Sequence, residues 1–187
     1  MLFYLGCLSF VLFFLGDIND LRWKNKALSL CFPFGFLMLI AVYFFLVIKN
    51  ALPVFTPLSI LFAGLAILFL LLTIHSLFLA IPFAASYAYP GQLRPVHTRG
   101  VYALCRHPGV LFFIPMNIIL FAAFGFPVYA AFVYCVLNIL LVLFEDIIVF
   151  PKLLSGYDLY KKSTPFLIPN GESIRRFTAP RSKYPRM

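Results

Sequence analysis

"GVLFFIPMNIILFAAFGFPVYAAFVYCVLNILLVLFEDIIVF", residues 109–150, decides the fold. It is two apolar runs joined by Gly125-Phe126-Pro127, with no charged side chain before Glu145. Gly and Pro so close together mark a turn. Each run approaches the roughly 20 residues that a helix needs to cross a hydrocarbon core of about 30 Å. Lipid offers no water to an open backbone, so both runs read as helices. They form a tight hairpin, about Gly109 to Gly125 and about Pro127 to Phe150. Its closed end is "GFP". Its open end carries Arg106-His107-Pro108 on one side and Glu145-Asp146 on the other, so residues nearly 40 positions apart become neighbours.

The rest of the chain extends the same pattern. Of 187 residues, 63% are hydrophobic, 19% aromatic and only 11% charged, whereas a soluble domain carries about a quarter charged residues. Three more apolar stretches read as spans: about Leu2 to Gly16, about Ala27 to Ile48, and about Pro57 to Ile81, the last continuing as a helix toward Tyr89. The sum is all-α, a polytopic membrane helical bundle of about five transmembrane helices, an integral, multi-pass protein folded as one bundle. The net charge of +9 points to anionic lipid at a basic membrane face and, with this hydrophobic content, away from nucleic acid. The start, "MLFYLGCLSFVLFFLG", has no positive n-region and no small-residue cleavage site, and reads as a retained span. Cys7, Cys31, Cys105 and Cys135 make no CxxC pair and no metal-ligand spacing, so neither a disulfide framework nor a metal site is expected.

Lys and Arg set the orientation. Fourteen of the 15 basic residues fall in the first connection, in the third, or after the fifth span; Lys49 alone falls in an even-numbered connection. The positive-inside rule then places the N-terminus outside and the C-terminus in the cytoplasm. Residues 1–97 hold spans one to three, the expected substrate side. Residues 98–169 hold the polar cluster with spans four and five. Residues 170–187 form a basic, Pro-containing cytoplasmic tail, expected to be loosely ordered on the membrane surface.

"TRGVYALCRHPG", residues 98–109, gathers two arginines and a histidine between apolar stretches. Pro suits the first turn of a helix, so "HPG" reads as a helix start. Its free N–H groups and positive dipole end, with Arg106 and His107, suit a carboxylate or a phosphate. The competing reading makes Arg99 and Arg106 anchors to lipid phosphates. Glu145 and Asp146 are costly in an apolar helix and suit a cationic or hydroxyl-rich ligand, unless both simply pair with Arg106 or Lys152. Asn138, seven residues earlier, shares a face with Glu145 and should look into the bundle. His75 and Asn117 read mainly as hydrogen-bonded packing groups. Beyond the fifth span, "LLSGYDLYKKSTPFLIP" holds a helix-breaking Gly156, Tyr157, Tyr160 and an extended Pro165–Pro169 segment, able to fold back over the mouth.

These pieces, in this order, resemble the integral-membrane methyltransferases of the isoprenylcysteine carboxyl methyltransferase and phospholipid methyltransferase group. The likeness runs through Gly100, Tyr102, Arg106-His107-Pro108, Glu145-Asp146, Gly156-Tyr157, Tyr160 and Pro165 to Pro169, over residues 98–169. It implies S-adenosyl-L-methionine bound at the cytoplasmic ends of the last two spans, with an active site facing the cytoplasm. Arg106, His107, Pro108 and Gly109 would line the cofactor site, Tyr102 and Glu145 would join them, and the segment from Tyr160 through Pro165 to Ile168 would cover it. Val110 stands where the family usually has an aromatic. A lipophilic or membrane-associated methyl acceptor is implied, entering between spans. Should it arrive protonated, Glu145, His107 or His75 would serve as base. Two other readings compete. One is a nicotinamide-dependent, sterol-reductase-like membrane enzyme, which shares an Arg-His element but usually continues Asn-Tyr. The other is a non-enzymatic scaffold or transporter subunit, which leaves the clustered Arg, His and Glu unexplained.

Overall fold

The computed structural model describes residues 1–50, 56–80 and 93–178. Five long helices form the body: α1 Leu2–Trp23, α2 Leu28–Asn50, α3 Pro57–Leu79, α4 Pro108–Phe124 and α5 Val128–Leu153. Among the described residues, four of these are long and apolar enough to cross a membrane; α4 is apolar but shorter. Two short helices follow, α6 Tyr157–Ser163 and α7 Gly171–Thr178. Among the described residues, the strand pairing is a two-residue parallel one of β1, Arg94–Pro95, with β2, Leu154–Ser155. The proposed continuation of the third helix toward Tyr89 lies outside the described residues.

The hairpin forms as its sequence dictates. Gly125 closes α4 in the left-handed region (φ 64°), which a side chain would disfavour, and the Phe126 N–H returns to the Leu120 carbonyl. Pro127 then opens α5. α1 packs on α2 and α5, and α3 packs on α4. The shared core is aromatic: Phe10, Phe13, Phe113, Phe126 and Tyr134 are all buried. Outside it, Phe34, Leu37, Phe44, Ile60, Leu71 and Phe132 are more than half exposed. An apolar exterior on helices of this length is a surface for lipid tails.

α1 runs further than the sequence suggests. The expected end at Gly16 is passed, because Asp17, Asn19 and Asp20 lie inside the helix, whose last turn, Asn19–Trp23, is a wide π turn. Asn19 is fully buried: its amide donates to the Asn25 carbonyl at 3.1 Å and its oxygen accepts from the Asn25 N–H at 2.9 Å. Those bonds replace the water that a polar residue would otherwise need. Lys24, in the left-handed region (φ 50°), ends the helix. α5 likewise continues past Phe150 to Leu153. Within the expected tail, residues 171–178 are helical, and the Arg176 guanidinium donates to the Ser163 carbonyl; residues 179–187 lie outside the described residues.

Small residues bring α1 close to its neighbours. A Cβ on Gly6 would collide with the ring of Tyr134, whose hydroxyl donates to the Phe3 carbonyl at 3.0 Å. Gly6→Val is therefore expected to lower the unfolding midpoint in detergent, at a cost of about 1–3 kcal/mol for overpacking. An unchanged midpoint would contradict this packing.

Candidate functional site

The polar groups collect at one end of the bundle, where α1, α3 and α5 finish and α4 begins. A tight turn, Gly100–Ala103, precedes α4. Three bonds clamp the segment from this turn to Arg106. The Tyr102 hydroxyl donates to the Ser76 carbonyl on α3 at 2.9 Å. The Tyr160 hydroxyl on α6 donates to the Tyr102 carbonyl at 2.7 Å. The Arg106 N–H donates to the Pro165 carbonyl at 2.9 Å. Burial pushes the Tyr102, Tyr157 and Tyr160 phenols up, so they stay protonated and donate. Burial also pushes the Cys105 thiol up to about 11, which leaves it a packing group at neutral pH.

Adjacent on α5, Glu145 and Asp146 do different work. Asp146 is the hub of a latch. Its Oδ1 accepts the Tyr157 hydroxyl at 2.6 Å and lies 3.1 Å from Arg106 Nε and 3.4 Å from His107 Nε2. Its Oδ2 meets Lys161 Nζ at 3.0 Å. The Arg106–Asp146 contact is an ion pair without the alignment of a directed hydrogen bond. Arg106 also donates to the Lys161 carbonyl at 3.2 Å and lies 5.6 Å from the Phe166 ring centroid. The latch so ties α4's start, α5's end and α6 into one unit.

Glu145 instead lines a cavity of about 740 Å³ with walls from all five long helices. That volume suits a small-molecule or cofactor-sized ligand. Its body is apolar, with Phe36, Tyr43, Phe113 and Met116 among the walls. Its polar end brings together Tyr102, Arg106, His107, Pro108, Gly109 and Glu145, six of the eight residues expected from sequence. The other two, Tyr160 and Pro165, are not on its wall; they hold the 102–106 backbone from behind. Asn138 lines the cavity with Glu145, as the seven-residue spacing predicts. Val110 is also on the wall, and Phe113 supplies a ring within one turn of it. Asn117 is a packing group: it accepts from the Tyr43 hydroxyl at 2.7 Å. His75 is exposed on α3 and is not among the residues lining this cavity.

Three residues were not legible as site residues. Asp17 and Asp20 of α1 line the same polar end, as does Arg94, which pairs with Asp20 at 3.6 Å. One Asp17 carboxylate oxygen is buried with no hydrogen-bond partner, and Asp17 is close enough to Glu145 to act on it electrostatically. The signal was two carboxylates just after an apolar run, which resemble a water-exposed connection. Wide π turns cover Asn19–Trp23, His75–Leu79 and Glu145–Val149, all at this end. Such turns recur at functional sites, because they widen a helix and redirect its side chains.

His107 caps α4 and stands between both α5 carboxylates, 3.7 Å from Glu145 Oε2 and 3.4 Å from Asp146 Oδ1. Its ring stacks on Phe150 and meets Phe166 edge-on. Burial, above all, lowers the imidazole pKa below its usual value; Arg106 and Lys161 add to this and Asp146 opposes it. A histidine whose folded pKa lies below its unfolded value contributes stability that is full above about pH 6.5 and is lost as pH falls through the folded value. The unfolding midpoint should therefore fall from pH 7 to pH 5, with His107→Asn removing that part of the fall. An identical pH dependence in the variant would contradict this burial.

The chain matches no protein-family profile, and no curated protein and no solved structure is significantly similar to it.

Proposed function

We propose that this protein is an integral membrane methyltransferase that uses S-adenosyl-L-methionine on a lipophilic or membrane-associated acceptor. The observation that carries the reading is the single cavity in which Tyr102, Arg106, His107, Gly109 and Glu145 meet at one end while the remaining wall is apolar. The residue set fits the cofactor. Arg106 and the start of α4 favour a carboxylate. Glu145, Asp17 and the partnerless Asp17 oxygen favour an ammonium and ribose hydroxyls. When bound, the cofactor supplies a methyl group on a sulfonium, whose charge disappears on transfer.

The chain's own part is binding, orientation and exclusion of water. The latch keeps Arg106 and His107 in place, and positioning of this kind supplies much of the rate of a bimolecular transfer. The ammonium and the ribose hydroxyls are the same before and after transfer, so the contribution of Glu145 and Asp17 belongs to binding rather than to acceleration. His107, held neutral by burial, is placed to take a proton from an acceptor that arrives protonated. With the C-terminus in the cytoplasm, as the basic residues favour, the polar end faces the cytoplasm.

A nicotinamide dinucleotide fits this end less well, because its phosphates would meet Asp17, Asp20 and Glu145. Purified protein in detergent is expected to gain thermal stability with S-adenosyl-L-methionine or its demethylated product, and none with NADPH. Stabilisation by NADPH alone would overturn the proposal in favour of a reductase. Stabilisation by none of the three would remove both enzymes.

A further inference from the structure

α7 is too short to stand alone. Helices under about 12 residues are marginal in water, and Gly171–Thr178 has 8. Two things hold it. At its start, the Asn170 side chain accepts the Ser173 N–H at 2.8 Å, and the Asn170 N–H donates to the Ser173 hydroxyl at 3.0 Å. Along its length, α7 packs on the Gly100–Ala103 turn, which carries Tyr102 into the cavity wall.

The rest of α7 suits a boundary between water and lipid. Helix positions turn by about 100° each, so Ile174 and Phe177 lie roughly 60° apart on one apolar edge. They are 49% and 47% exposed, and Ile168, just before the helix, is 80% exposed. Arg175, also exposed, stands about 100° from Ile174. Lys162 is exposed too, next to the Ser163 whose carbonyl accepts from Arg176. An apolar edge flanked by cations is the pattern of a helix lying in a headgroup layer.

The level agrees. The Pro165 carbonyl accepts the Arg106 N–H, two residues before α4 begins at Pro108. Ile168 follows three residues on, so it lies within about 10 Å of that bond, at roughly 3.3 Å per residue. A bundle with its long helices in a bilayer meets the headgroups at this height. The basic residues favour the cytoplasmic leaflet, which is the anionic one.

We propose that α7 docks edge-on into the headgroups of an anionic leaflet and thereby steadies the polar end of the cavity. Ile168, Ile174 and Phe177 reach the acyl boundary, while Lys162 and Arg175 meet lipid phosphates and carboxylates. Docking holds α7 against the 100–103 turn. The turn then keeps Tyr102 in the wall, and a ligand there binds more tightly. By reciprocity, a ligand at that end tightens the hold of α7 on the membrane. The docking stands by itself; only its effect on ligand affinity rests on the cofactor reading.

The test is hydrogen–deuterium exchange of the full chain in nanodiscs of phosphatidylcholine alone, or of phosphatidylcholine with phosphatidylserine. Amides of residues 171–178 should exchange about tenfold more slowly in the anionic discs, the scale set by two basic side chains at a charged surface. High salt should reverse the slowing. Lys162→Gln with Arg175→Gln should abolish the difference between discs while leaving the unfolding midpoint in detergent unchanged. Ile174→Ser with Phe177→Ser keeps every charge. Slowing that survives in this variant reports the surface potential and not docking, and overturns the proposal. Equal exchange of the wild type in both discs overturns it as well. The demethylated cofactor should bind several-fold more tightly in the anionic discs, and the Gln pair should lose that gain. Equal affinity beside slowed exchange removes the effect on the cavity. If the wild type binds no cofactor in either disc, the methyl-transfer reading falls, and exchange alone decides the docking.

Discussion

Asp146→Ala is expected to be the most damaging single substitution in the chain. The carboxylate is buried and receives Tyr157, Arg106, His107 and Lys161 together. Removing it leaves the Arg106 guanidinium, with a side chain 10% exposed, without its counter-charge. Breaking a buried pair from one side costs about 3–5 kcal/mol, which lowers the unfolding midpoint by on the order of 10 °C in a chain of this size. Without Asp146, the ties from α6 through Tyr157 and Lys161 to its carboxylate are lost, leaving the bonds of Tyr160, Pro165 and Lys161 to residues 102–106. Cofactor binding should therefore weaken with the stability. Asp146→Asn, which keeps an acceptor for Tyr157 but not the charge, should fall between the two. Thermal unfolding of the three proteins in one detergent checks the order. If Asp146→Ala unfolds like wild type, the latch is not a source of stability.

Glu145→Gln, one residue away, should behave in the opposite manner. Glu145 faces the cavity, and its nearest basic neighbour, His107 at 3.7 Å, is held neutral by burial. Replacing the acid with an amide costs the fold little. It should weaken S-adenosyl-L-methionine binding by roughly ten- to a hundredfold, the range for a hydrogen bond to a charged group. Calorimetric or thermal-shift titration of the variant measures this directly. Wild-type affinity together with wild-type stability would sink the assignment of Glu145 to the ligand. The contrast between neighbouring carboxylates, one altering stability and the other affinity, separates the latch from the cavity experimentally.

The hairpin and its consequence were readable from residues 98–169, because two apolar runs joined by Gly125 and Pro127 have one low-cost arrangement in lipid. That arrangement alone predicts that Arg106 and Glu145 meet. The division of labour between Glu145 and Asp146 was not readable. Adjacent helix positions point about 100° apart, and nothing local says which of the two faces the cavity; the partners Tyr157 and Lys161 decide it. Tyr160 and Pro165 belong to the site region, as expected, but they act on the backbone of residues 102–106 rather than on the cavity wall. Asp17 escaped notice for a different reason. Polar residues after an apolar run read as the end of a helix, and only the buried bonds of Asn19 let α1 continue through them.

The latch and the α2–α3 part of the cavity wall draw on separate stretches of the polypeptide. Every group of the Asp146 hub comes from residues 106–161, while Ile40, Phe44, Ile48 and Ile67 of that wall belong to α2 and α3. Mutation can therefore reshape the wall without disturbing the keystone. Positions 40, 44, 48 and 67 are free to drift and alter the shape of the interior, while Asp146 and its four partners stay fixed by folding itself.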